Sequence, residues 1–190
     1  ARRRNLLRYW LSEQGLPTPP RGRLQTLLSQ LNARDDAQIR VEWPGAVVTR
    51  YRDDLYAFDK WPKPLPDFEQ CWDMSTPAVL PDGRILEVKS APPGRGLDPD
   101  KLAEVMQEGG GFITLRNRRA GDRIRPVGDR HHRSIKNLLQ ARQMPPWERD
   151  RLWYVEANGK LLQVGPDIFS HAFAAQLDQP GLWIVERRHD

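Results

Sequence analysis

The chain of 190 residues carries 30 Lys and Arg against 25 Asp and Glu, for a net charge of +5 and a pI near 9.6. That excess favours a polyanionic partner, a nucleic acid or an anionic membrane, without deciding between them. The single cysteine, Cys71, excludes an intramolecular disulfide and fits a reducing cytoplasm, and no apolar run nears the roughly 18 residues of a membrane span.

Leu6, Leu7, Trp10 and Leu11 form a stripe that predicts a short amphipathic helix over 5–12, ended by Gly15 and Pro17. Thr18 is placed to cap a second helix with Pro19 at its first position, and Leu24, Leu27, Leu28 and Leu31 give it an apolar face. The pair reads as a helical hairpin. Its first helix bears Arg2, Arg3 and Arg4 and starts so abruptly that a segment upstream is expected; nothing in it resembles a signal peptide. Ile39, Val41 and Trp43 alternate with polar residues up to the turn signal Pro44-Gly45. The next strand sets Val47, Thr49 and Tyr51 on one face and Val48, Arg50 and Arg52 on the other, and Asp53-Asp54 turns the chain into an aromatic strand over 55–58. Alternating prolines make 61–67 an extended linker.

Beyond the linker, Leu80-Pro81-Asp82-Gly83 predicts a hairpin turn into a strand over 85–88. Residues 91–111 read as a Pro/Gly connector, inside which Asp98-Pro99 can cap a short helix over 102–106. Gly109-Gly110-Gly111 is its most pliable point, and a strand over 112–115 follows. After Arg151, strands over 153–155 and 161–164 flank Asn158-Gly159, a strong two-residue hairpin signal, and 182–185 is a final strand.

Between these strands lies the stretch that organises the chain. From Arg116 to Arg151 there are eleven cations, ten of them Arg, against four acids. The arginine fork grips phosphate oxygens in pairs and stacks on bases. Ile135, Leu138 and Leu139 fall on one side of a helix, with Arg133, Lys136, Asn137 and Gln140 on the other. Pro145-Pro146 stops that helix and starts another, anchored by Trp147 and Leu152. Cations mounted on ordered elements point to a binding face; a solvated basic surface is the plainer alternative.

Other candidates are weaker. The triple glycine lacks the spacing and the Lys-Ser/Thr of a P-loop, and a strand follows it rather than a helix. His131-His132 has no Cys or carboxylate at metal-ligand spacing, so a pair near phosphate or at the surface is the better reading. Cys71 lies among aromatics and reads as a buried or half-buried spectator. Trp43, Trp153 and Trp183 sit in apolar alternation and read as core, whereas Trp147 could be core or a stacking platform.

The order Gly121-Asp-Arg-Ile-Arg-Pro126, Val127-Gly128, Arg133-Ser-Ile-Lys136, Pro145-Pro-Trp147 and Arg149-Asp-Arg-Leu152 resembles the C-terminal region of the tRNA(Ile)-lysidine synthetase (TilS) family. The phrase Thr49-Arg-Tyr-Arg-Asp-Asp-Leu-Tyr56 is a looser likeness to the family's preceding domain. Three positions depart: Asp129 stands where a basic residue often follows the glycine, Glu148 replaces an apolar residue, and Trp153 stands where a proline is usual. The resemblance implies an enzyme that uses ATP to join lysine to the wobble cytidine of the isoleucine tRNA with a CAU anticodon. The family's pyrophosphate loop is absent from this sequence, so ATP and Mg are expected only in an upstream catalytic domain, and neither cofactor nor metal is expected here.

The expected fold is α+β. A helical hairpin with a β-hairpin over 1–64 precedes a mostly-β, barrel-like domain over 65–190 that carries one basic helix. Arg125, Arg130, Arg133, Lys136, Arg149 and Arg151 are expected to track a tRNA helix, by resemblance its acceptor arm, with Arg50 and Arg52 contributing from the first domain. A free-standing RNA-binding or adaptor module and a protein-interaction domain remain as alternatives.

Overall fold

The computed structural model describes residues 2–31 and 39–187, and the chain divides after Lys63 into two units. The four-residue spacing of Leu7 and Leu11 buries one edge of α1 (Arg2–Glu13) in a core shared with Leu24 and Leu27 of α2 (Arg21–Gln30). Leu6 is 65% exposed, so the stripe is narrower than its leucines indicate. Thr18 does not cap α2. Pro20 holds that position with no side-chain cap, because consecutive prolines keep the connector extended until Arg21.

The same core takes in Ile39, Val41 and Trp43, the alternating apolar residues around β1 (Arg40–Trp43). Trp43 Nε1 donates to the Pro17 carbonyl at 3.0 Å and ties the helical connector to the strand. β1 pairs with β2 (Ala46–Tyr51), and β2 with β3 (Asp54–Phe58), in an antiparallel sheet of order β1-β2-β3. Residues 46–49 of β2 are all buried and Arg50 and Tyr51 are both half-buried, so burial does not separate its two faces.

In the second unit the chain runs through β4 (Glu69–Trp72), β5 (Ala78–Val79), β6 (Ile85–Ala91), α3 (Pro99–Glu108) and β7 (Ile113–Arg116). It continues through β8 (Arg123–Ile124), β9 (Arg133–Ser134), α4 (Ile135–Ala141) and α5 (Pro146–Arg149). It ends with β10 (Tyr154–Ala157), β11 (Lys160–Val164), β12 (Ile168–Phe169), a 3-10 turn at His171–Phe173, and β13 (Gly181–Glu186). The main sheet has the order β12-β11-β10-β7-β4; β13-β6-β5 and β8-β9 form smaller sheets. The α+β class holds, but among the described residues no sheet closes into a barrel. The edge strands β12 and β5 are two residues long, too short to carry a ladder round.

Asn158 and Gly159 both take positive φ (47° and 70°) and close the two-residue β10–β11 hairpin, as their sequence signal requires. Alternation along β10 serves two cores. Trp153 and Val155 enter the larger core with Trp72, Leu86, Leu97 and Ile184, whereas Tyr154 joins Ile135, Leu138 and Leu139. The basic stretch is thereby fastened to the opposite face of the main sheet from the larger core. Segment 91–111 is more than a connector, since it contributes Leu97 and, from α3, Leu102 and Val105 to that larger core. Cys71 is exposed, correcting the expectation of burial: on β4 the neighbouring Trp72 takes the inward position and alternation turns the thiol out.

Asp98 caps α3 by accepting from Asp100 N at 3.0 Å and Lys101 N at 3.3 Å. Asp98→Ala is expected to lower stability by about 1 kcal/mol. Urea denaturation checks this, and an unchanged midpoint would show that the cap is not needed.

Candidate nucleic-acid interface

The basic stretch starts from a charge that faces no solvent. Arg116 closes β7 with its side chain 4% exposed and holds Asp122 through two parallel contacts, Nη1 to Oδ2 at 3.0 Å and Nη2 to Oδ1 at 2.9 Å. Glu156 of β10 accepts from Nε at 2.8 Å, and the guanidinium lies 5.5 Å from the ring centroid of Tyr154. Burial works against the charge on Arg116, but its hydrogen bonds to the Asp122 and Glu156 carboxylates outweigh it and raise its pKa above the ordinary value. For Tyr154 burial has the opposite sign and raises the pKa of the phenol, which stays neutral.

Asp122 also accepts from Arg119 N at 2.7 Å, and its carbonyl takes the Ile135 N–H at 3.0 Å. Asp122 therefore acts at both places, its carboxylate at the entry to β8 and its backbone carbonyl at the start of α4. Ser134 completes that start by accepting from Asn137 N at 3.2 Å. Ile135, Leu138 and Leu139 are buried and Lys136, Asn137 and Gln140 are exposed, as helical periodicity requires. Arg133 is not on the helix: it lies on β9, opposite Ile124, and pairs with Asp129 at 3.4 Å.

β8 and β9 form a hairpin whose loop carries Arg125 and Arg130. The loop is docked by Val127 N donating to Phe169 O at 3.1 Å and His171 N donating to Arg125 O at 2.8 Å. Arg125, Arg130 and Lys136 make no side-chain hydrogen bond or ion pair among the described residues, and Arg118 and Arg142 share that property. These guanidinium and ammonium groups are open to an anion. Arg149 and Arg151 are placed differently. Arg149 Nε donates to the Met144 carbonyl at 2.6 Å, which joins α5 to the end of α4. Arg151 lies 3.9 Å from Asp82, and its carbonyl accepts from Arg84 Nη2 at 2.7 Å. Trp147, a platform candidate, is buried.

In the first unit, Arg50 and Arg52 do not share a strand face. Arg50 is half-buried, with Nη1 donating to Leu31 O at 3.4 Å. Arg52 stands beyond β2 in the turn to β3 with φ 55°, so alternation no longer governs it. Sequence reasoning passed over a stronger feature, a cleft between α1 and α2 lined by Arg4, Arg8 and Arg21 with Asn5 and Gln25. Its signal is legible in retrospect: residues 2–31 contain six Arg and a single acid, Glu13.

The triple glycine does not fit a nucleotide. Gly109 N donates to Val105 O and Met106 O, and Gly111 N to Met106 O, so these groups cap the carbonyl end of α3, where anions are disfavoured. Among the described residues no His, Cys, Asp or Glu group could hold a metal ion, and no helix is long and apolar enough to cross a membrane.

Cationic faces on both units, the α1–α2 cleft in the first and the β8–β9 hairpin with the start of α4 in the second, are the features of a polyanion-binding module. Residues 1–56 match the family model of the TilS substrate binding domain, and residues 113–186 match that of the TilS substrate C-terminal domain. The tRNA(Ile)-lysidine synthase of Methylococcus capsulatus is 35% identical over 167 residues, 85% of this chain and 36% of the relative. That of Alkalilimnicola ehrlichii is 35% identical over 191 residues, 100% of this chain and 40% of the relative. A solved structure described as the crystal structure of the TilS C-terminal domain is similar with a TM-score of 0.45 and 20% identity, covering 65% of this chain and 99% of that one. The chain belongs to the TilS family and spans roughly two fifths of the length of these relatives.

The placement of Arg116 separates it from its basic neighbours. Asp122→Ala leaves a buried guanidinium short of a partner and is expected to cost about 3 kcal/mol, whereas Arg118→Ala at the surface should change stability by less than about 0.5 kcal/mol. Chemical denaturation of the two variants checks the contrast. Equal effects would place Arg116 among the surface charges.

Proposed function

We propose that this chain is the tRNA-recognition portion of a tRNA(Ile)-lysidine synthetase, gripping the substrate while other parts of the enzyme perform the ligation. The reading rests on one observation, the β8–β9 hairpin and first turn of α4 presenting Arg125, Arg130 and Lys136 with no internal counter-charge among the described residues. A-form RNA hides base edges in a narrow major groove, so a protein holding a tRNA stem relies on phosphates, 2′-hydroxyls and shape. Guanidinium forks on a docked hairpin suit that task. Family membership supports the finer statement: the substrate is the isoleucine tRNA with a CAU anticodon, and the acceptor arm is the stem held by the second unit. ATP, Mg and lysine are used outside these two units, in a cytoplasmic setting.

Arg133, Arg149 and Arg151 act mainly by holding the surface together, through Asp129, the Met144 carbonyl and Asp82. Arg130 and Lys136 carry the open charge. Each phosphate they neutralise releases condensed counterions, so replacing both with Ala should make the slope of log affinity against log salt shallower by about 2. Titration of the unmodified tRNA transcript at several salt concentrations measures the slope, and the melting temperature should match the parent because both side chains are exposed. An unchanged slope in a folded double variant would reduce these cations to solubilising charge.

A further inference from the structure

A cavity of about 270 Å³ opens beside the basic hairpin. Val127, Phe169 and Trp183 give it apolar walls, Arg95 and Asp167 bring charge to it, and Gly96 lies behind the indole. Val127 is 56% exposed although apolar, and Phe169 and Trp183 are half-exposed. Trp183 was expected in the core, yet its outward position on β13 leaves it at the surface of this cavity.

The indole is a fixed platform. A Cβ on Gly96 would lie 2.7 Å from Trp183 Cδ1 and 2.4 Å from Leu182 O, and Gly96 holds φ at 78°. Only glycine lets the backbone pass so close, and that passage pins the ring. The volume falls just below that of drug-sized ligand sites, and it suits one flat heterocycle. Arg95 is exposed and has no ion pair or side-chain hydrogen bond among the described residues. Its fork offers donors to ring nitrogens and carbonyls, and Asp167 offers acceptors to an exocyclic amine.

The cavity is continuous with the cationic loop. Val127, one of its walls, lies between Arg125 and Arg130, and its N–H donates to Phe169, another wall. We infer that this cavity receives one unpaired nucleobase of the RNA whose phosphates the hairpin holds. The inference rests on the RNA-binding reading above. It adds a single-stranded segment beside the gripped stem, with the base stacked on Trp183 and its backbone within the field of Arg125 and Arg130. An apolar peptide would fill the walls but leave Arg95 and Asp167 unmatched.

The test compares a short RNA stem-loop having a blunt end with the same stem carrying a single-stranded extension that contains a fluorescent adenine analogue. Stacking of one base should tighten binding of the extended RNA by about tenfold, with quenching of the analogue. Trp183→Leu and Arg95→Ala should each erase most of that gain while leaving blunt-stem affinity within about threefold. Arg95 is exposed, so its variant keeps the question decidable if Trp183→Leu fails to fold. Equal affinities for the two RNAs, or a gain that survives both substitutions, would overturn the nucleobase site while leaving stem recognition intact. Failure to bind either RNA would instead overturn the RNA reading itself, and the cavity's role with it.

Discussion

A buried guanidinium holds the basic surface in place. Arg116 ends a central strand and is satisfied by Asp122 from the following loop and Glu156 from the neighbouring strand. Removing such a charge from water costs several kcal/mol, which only dense hydrogen bonding can offset. That density has a structural return, because the carboxylate that pairs with Arg116 also accepts from Arg119 N, while the backbone carbonyl of the same residue takes the N–H of the first residue of α4. The loop before β8 and the start of α4 therefore share Asp122 as an anchor. Tyr154, beneath the guanidinium, joins this cluster to the apolar layer under α4.

The cations of the stretch thus divide by what they touch. Arg116 is internal, and Arg149 ties two helices through a carbonyl. Arg84, outside the stretch, contacts Asp82, Glu186 and the Arg151 carbonyl, and so steadies the chain where it leaves α5. Asp129 shields Arg133. What remains for a partner is a smaller set than the charge count implies, concentrated on one hairpin and the helical turn after it. The departure of Asp129 from the family pattern is thereby explained locally: the acid partners a cation on the same hairpin.

Much of this was legible in the residues, and the limits have physical causes. Asn158-Gly159, Asp98-Pro99 and the Ile135, Leu138, Leu139 stripe announced their elements because each depends on neighbours a few residues away. Arg116 and Arg118 look alike in sequence, since a charge count carries no information about strand pairing, and the contacts to Asp122 and the distant Glu156 distinguish them. Arg52 was misplaced because β2 ends one residue sooner and a left-handed turn residue interrupts alternation. Arg133 was assigned to the helix because a two-residue strand has no periodicity to read. Trp183 sits among apolar neighbours, and nothing local reveals that the covering layer stops short of it.

Unequal pairing in the second unit has a further consequence for how it opens. β10 is flanked on both sides in the main sheet, and its side chains enter both cores, so its amides should exchange with solvent only when the whole unit unfolds. The β8–β9 ladder has two residue pairs and a largely exposed loop, which places it at the opposite end of the stability scale. A cationic hairpin on such a ladder can breathe and reseat against a curved backbone while the sheet beneath it stays closed. Conformational adaptation to a ligand is then confined to a few residues, and the scaffold is spared the strain.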